Sequence, residues 1–147
     1  MISALAAAMR PVTMACILHA AAIQHIPGVL LLGLLKTEGG QVGSWTTNTD
    51  GSNDLGPMQI NDRTWVQKIA DMQFSGDREK ATRYLVYDGC YNVEVGAYIF
   101  GLYLQEAGGD YGGAIGYYNS HSPLQADVYR RRFLRSLNSL LADHGHK

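Results

Sequence analysis

Seven consecutive residues, Val29-Leu30-Leu31-Leu32-Gly33-Leu34-Leu35, leave a helix no polar face to turn toward water. Such a segment is stable only when other elements cover it on every side, so it belongs at the centre of a domain. Pro27 suits its first turn, where no amide hydrogen is needed, and Gly39-Gly40 suits its end. Just before those glycines stands Glu38. Low dielectric disfavours the charged form of a carboxyl there, and the negative end of the helix dipole disfavours it further. An acid that keeps its proton near neutral pH is suited to general-acid chemistry, glycosidic cleavage included. Taken alone, Glu38 reads as a solvated helix-end residue; its surroundings favour the other reading.

The chain has 147 residues, enough for one domain with a sizeable core. That domain is expected over residues 13–142. Residues 1–12 read as a signal remnant or a flexible N-terminus, since they carry Ala-x-Ala triplets but no basic leader, and 143–147 read as a polar tail. A formal net charge of −1 supplies no electrostatic case for nucleic acid or an anionic membrane. The basic run Arg130-Arg131-Arg132, with Arg135, lies in a helical pattern and reads as a solvated face. The apolar stretch from Ala15 to Leu35 is broken by His19, Gln24, His25 and Pro27, so no membrane span is expected. His19, His25, His121, His144 and His146 show no ligand spacing with carboxylates, so neither a metal nor an organic cofactor is expected.

The pattern along the chain predicts a mainly α, α+β fold of short helices around the buried one. Thr13 caps a helix to about His25, and the central helix follows. Residues 40–61, rich in Gly, Asn, Thr, Asp and Ser, form a loop or small hairpin turning at Asp50-Gly51. Further helices start at Asn61 or Asp62, at Asp77, at Asn92 and at Tyr111, and a last one spans about Ala126 to Ala142. Cys16 and Cys90 by themselves read equally as two buried thiols or as one disulfide closing a long loop, and their spacing fits no zinc or redox motif.

Three motifs in order then narrow the reading: Glu38-Gly39-Gly40, Asp54-Leu55-Gly56-Pro57-Met58-Gln59-Ile60-Asn61 and Tyr117-Tyr118-Asn119-Ser120. Together they resemble the lytic transglycosylases of the soluble-transglycosylase type, and within them the small enzymes of conjugation, type IV secretion and pilus systems. The resemblance runs from about Cys16 to Phe133. It implies a lysozyme-like fold and one catalytic carboxylate at the end of the central helix, at Glu38. The family's Gly-Leu-Met-Gln motif is met by Gly56-Pro57-Met58-Gln59 with Thr64 beyond it, and its Ala-Tyr-Asn-Ala-Gly motif by residues 117–121. The resemblance also implies a Cys16–Cys90 disulfide, a periplasmic monomer, peptidoglycan glycan strands as substrate, and a secretion, conjugation or pilus machine as partner.

Residue chemistry suggests a role for each position. Glu38 protonates the leaving oxygen and then takes the proton of the sugar's C6 hydroxyl, giving a 1,6-anhydro product. Tyr118 has a hydroxyl to orient Glu38 or bond the sugar, and a ring for an apolar wall. The amides of Gln59 and Asn119 suit N-acetyl and hydroxyl groups. Met58 offers an adaptable apolar contact, and Gly56 lets backbone approach the substrate. Three positions depart from the family pattern: Gly39 in place of Ser, Pro57 in place of Leu, and His121 in place of Gly.

A second resemblance lies in Asn48–Gly56, which looks like the active-site hairpin of animal-type lysozymes and puts Asp54 at their second carboxylate. Carboxylates about 5–5.5 Å apart would permit retaining hydrolysis. The reading preferred here gives Asp54 a structural or electrostatic role, with a lysozyme-type hydrolase using Glu38 and Asp54, and a non-catalytic glycan-binding scaffold, as the alternatives.

Overall fold

The computed structural model describes residues 9–145. Seven helices and three short strands follow in the order α1 (Met14–Ile23), α2 (Gly28–Glu38), β1 (Trp45–Thr47), β2 (Asn53–Leu55), β3 (Ile60–Asn61), α3 (Asp62–Gln73), α4 (Arg78–Tyr87), α5 (Gly89–Glu106), α6 (Tyr111–Asn119) and α7 (Pro123–Gly145). This is the mainly helical α+β architecture expected, with the polar segment after Glu38 folded as an antiparallel sheet of order β1-β2-β3. Asp54 pairs with Thr46 on one side and with Asn61 on the other.

Most helix starts fall at polar caps. Side chains of Thr13, Asn61, Asp77, Asp88 and Asp110 each accept a backbone amide of the helix they open. α5 starts three residues before the expected Asn92, because Asp88 takes the capping position and Asn92 goes inside. α7 begins at Pro123, earlier than Ala126, and extends past Ala142 to Gly145.

α2 is the core helix. Leu31 and Leu34 are fully buried, each removing enough apolar surface from water to contribute about 2 kcal/mol. α7 lies across α2, with the Phe133 ring seated against Gly33. α5 packs on α1, α4 and α6 and supplies Val93, Ala97, Ile99 and Phe100 to the same core. α1 is joined to the start of α5 by the Cys16–Cys90 disulfide.

No single helix among the described residues is long and apolar enough to cross a membrane, and the apolar pair α1 and α2 is bent by 118° at the break between them. Arg10 bridges to Asp88, donating to Tyr87 O and accepting from Gly89 N, which ties the segment before α1 to the start of α5. The rest of the segment read as a signal remnant, residues 1–8, lies outside the described residues.

Candidate active site

Glu38 closes α2 because the next residue turns left-handed. Gly39 has φ 66°, and its amide donates back to Leu35 O. That conformation suits glycine and strains any β-carbon, which explains Gly in place of the family's Ser. Gly40 is required for a different reason. A β-carbon there would collide with the Gly56 carbonyl oxygen and with Gln59 Nε2, so the chain leaving Glu38 runs directly against the Gly56–Gln59 turn.

The result is a polar cleft of about 680 Å³ between the sheet and the helices, with Glu38 opening into it. Asp54, Gln59, Asn61, Thr64 and Trp65 line it together with Tyr103, Tyr118 and Asn119. Of the residues read from the sequence, Glu38, Asp54, Gln59, Tyr118 and Asn119 therefore meet at one surface.

The Glu38 carboxyl is pushed up from 4.5 to about 7. Burial is the main cause and Asp54 adds to it, while a hydrogen bond from Tyr129 and the charge of Arg132 oppose it. Tyr129 Oη donates to Glu38 Oε1 at 2.8 Å, and its ring is almost fully buried. Burial, then the Glu38 charge, holds the Tyr129 phenol protonated well above its ordinary range. The residue that orients Glu38 is thus Tyr129 of α7. Tyr118, expected to offer a hydroxyl to Glu38 or the sugar, instead donates to Met58 O at 3.0 Å. Its ring does line the cleft.

Two further expectations need correction. Met58 has no exposed surface; its side chain lies against Gly96 of α5 and belongs to the core, so it offers no face to a sugar. Gly56 is buried with φ 64°, and a β-carbon there would strike Asn92 and Leu85 O, so the close approach it permits is to the protein interior.

What holds this turn is Asn92, a residue read only as a helix start. Its Oδ1 accepts Met58 N at 2.8 Å, and its Nδ2 donates to Leu55 O at 2.9 Å and Leu85 O at 2.8 Å. A buried amide can serve three backbone groups at once, which no apolar residue could. Gln59 adopts φ 53°, uncommon outside glycine, and its Nε2 donates to Gly56 O at 3.0 Å. Asp54 Oδ1 accepts from Asn61 Nδ2 at 3.0 Å, so this carboxylate both ties the hairpin and faces the cleft. Asn61 caps α3 through Thr64 N at 3.1 Å, and the Thr64 hydroxyl also donates to it.

Tyr103, also in the cleft lining, stands edge-on to Trp65, Tyr118 and His121. His121 stacks on Tyr117 with ring centroids 4.3 Å apart and pairs with Glu106 at 2.7 Å. The positions of the motif's first Ala and its Gly, here Tyr117 and His121, are thus filled by two rings that pack on one another. Among the described residues no group of His, Cys, Asp and Glu could hold a metal ion.

No curated protein matches the chain. The family model described as the transglycosylase SLT domain matches residues 15–127, from the first turn of α1 to the first turns of α7, and so takes in Glu38, the hairpin and the Tyr118-Asn119 pair. The chain belongs to the transglycosylase SLT family, whose lytic activity degrades peptidoglycan.

Proposed function

We propose that this protein is a lytic transglycosylase in which Glu38 alone acts as acid and then base on the β-1,4 bond between N-acetylmuramic acid and N-acetylglucosamine. The observation that carries the reading is the Glu38 carboxyl itself. It ends a buried helix, opens into the cleft, is held by Tyr129 and has its midpoint raised to about 7. A carboxyl poised at that value is protonated in a useful fraction of molecules and still basic enough to recover the proton.

In the forward step Glu38 gives its proton to the glycosidic oxygen as the C1–O bond breaks. The N-acetylglucosamine end leaves as an alcohol, and positive charge develops at C1 of the muramic acid. The Glu38 carboxylate then takes the proton of the C6 hydroxyl while that oxygen bonds to C1. The 1,6-anhydro ring forms, Glu38 is protonated again and no water is consumed. Gln59 and Asn119, which line the cleft, hold the amide and hydroxyl groups of the two sugars in this reading, and the Asp54 carboxylate favours positive charge at C1. The subgroup resemblance motivates a periplasmic setting and the local opening of the wall for a secretion, conjugation or pilus machine.

A second reading is favoured by one observation. Asp54 shares the cleft with Glu38, and its charge raises the Glu38 midpoint, so two carboxyl groups are present for retaining hydrolysis. Mass spectrometry of the soluble products from purified peptidoglycan separates the readings. Anhydro-muropeptides from the wild type, absent with Glu38→Gln, are the expected result. Products heavier by one water and lost in Asp54→Asn would establish a hydrolase. Equal products from wild type and Glu38→Gln would remove Glu38 from the reaction.

A further inference from the structure

The basic run of α7 does not behave as one solvated face. Arg131 is mostly exposed and pairs with Asp127 at 3.0 Å. Arg130 shares Asp127 at 3.7 Å and donates to Gly112 O at 3.3 Å, which ties α7 to the start of α6. Arg132 shares no such pair; among the described residues no carboxylate lies within ion-pair distance of it.

The Arg132 guanidinium turns instead toward the end of α2. Its Nη2 donates to Thr37 O at 3.1 Å, the carbonyl of the residue preceding Glu38. Thr37 is buried, and this carbonyl is among the last four of α2, which have no partner within the helix. A cation is the favoured partner at that end of a helix. The same guanidinium carbon lies 5.8 Å from the centre of the Tyr129 ring, within cation–π range. Tyr129 in turn donates to Glu38 Oε1. One side chain therefore engages both the peptide that carries Glu38 and the phenol that holds its carboxyl.

We infer that Arg132 is a positioning residue of the reaction, fixing the last peptide of α2 and the face of Tyr129 and, through them, the Glu38 carboxyl. This rests on Glu38 being the acid and base. A guanidinium suits the task because its planar fork can bond a carbonyl and lie on a ring together, which a lysine ammonium does less well. Arg132 also acts by its charge. The groups that face Glu38 are Asp54 from β2, Tyr118 from α6, and Tyr129 and Arg132 from α7; of these Arg132 alone is cationic. Without it, burial and Asp54 are opposed only by the Tyr129 hydrogen bond, and the Glu38 midpoint moves up. The acid form then persists to higher pH, so the alkaline limb of the kcat profile shifts upward.

The test compares wild type, Arg132→Gln and Arg132→Lys in the full chain, by kcat and KM on purified peptidoglycan across pH and by carbon-13 NMR titration of the Glu38 carboxyl. The titration needs no turnover. For Arg132→Gln the expected result is kcat down roughly 10-fold with KM little changed, and a Glu38 midpoint and alkaline limb both moved up. Arg132→Lys keeps the midpoint near the wild-type value and recovers only part of kcat. A Gln variant with wild-type kcat and an unmoved midpoint overturns the inference. So does a kcat loss that merely follows a fall in Tm while the midpoint stays put. Full activity in Glu38→Gln would instead overturn the catalytic reading on which this one stands, so the two failures are distinct.

Discussion

At the scale of single residues, Glu38 is placed for chemistry at a cost in stability. Its midpoint in the folded protein, about 7, lies above the ordinary 4.5, so the folded state binds this proton more tightly than the unfolded chain does. Stability is therefore highest below pH 4.5 as far as this group is concerned, and it is lost as pH rises through about 7, by on the order of 3 kcal/mol. Glu38→Gln carries no such penalty. Thermal unfolding is expected to show the variant more stable than wild type at pH 8, with the difference vanishing near pH 4, while activity on peptidoglycan falls by roughly 10³-fold. A variant no more stable than wild type at pH 8 would contradict the raised midpoint. Tyr129→Phe removes the hydroxyl that favours the carboxylate, so the Glu38 midpoint should rise above 7 and kcat should fall roughly 10-fold. An NMR titration with an unmoved midpoint would separate Tyr129 from Glu38.

At the scale of elements, the turn between β2 and β3 is held from behind by α5. Asn92 satisfies Met58 N, Leu55 O and Leu85 O from one buried amide. Asn92→Ala would leave those three backbone groups without partners in a dry site, at roughly 1–3 kcal/mol for a typical unsatisfied group. A loss of about 3–5 kcal/mol by urea unfolding is expected. A change below about 1 kcal/mol would show that water reaches the turn. The hairpin has a second anchor in Asp62, which accepts from Asn53 N and Asn53 Nδ2 and thereby joins β2 to the start of α3. Burial alone would raise the Asp62 carboxyl, but its hydrogen bonds outweigh that and hold it below the ordinary value. Its contribution is thus present above the ordinary carboxylate range and lost in acid. The surface pair His121–Glu106 is about half exposed on both sides, so His121→Ala should change Tm little.

At the scale of the whole molecule, the Cys16–Cys90 bridge spans a sequence separation of 74 and closes a loop that contains α2 with Glu38, the sheet, α3 and α4. In the loop-entropy account this is worth about 4 kcal/mol, so the double variant Cys16→Ser, Cys90→Ser should unfold at markedly lower denaturant while keeping its activity at low temperature. An unchanged midpoint of unfolding would mean that the unfolded chain gains little freedom from the cut. What local sequence determined is what depends on neighbours in the chain: the apolar run that had to be central, the capped helix starts, the Gly pair that ends α2, and the acid standing there. The residues that meet in the cleft were legible wherever a compact motif carried them, as with Gln59, Tyr118 and Asn119. Tertiary structure alone decided the partners that arrive from far along the chain. Tyr129, not Tyr118, reaches Glu38 because α7 crosses α2 at Gly33; Arg132 follows it, and Asn92 turns inward to hold a loop 34 residues away. A tyrosine, an arginine and an asparagine in a helix look alike on the page whether they face water or a carboxyl, because hydrogen bonds across the core depend on how helices cross rather than on spacing along the chain.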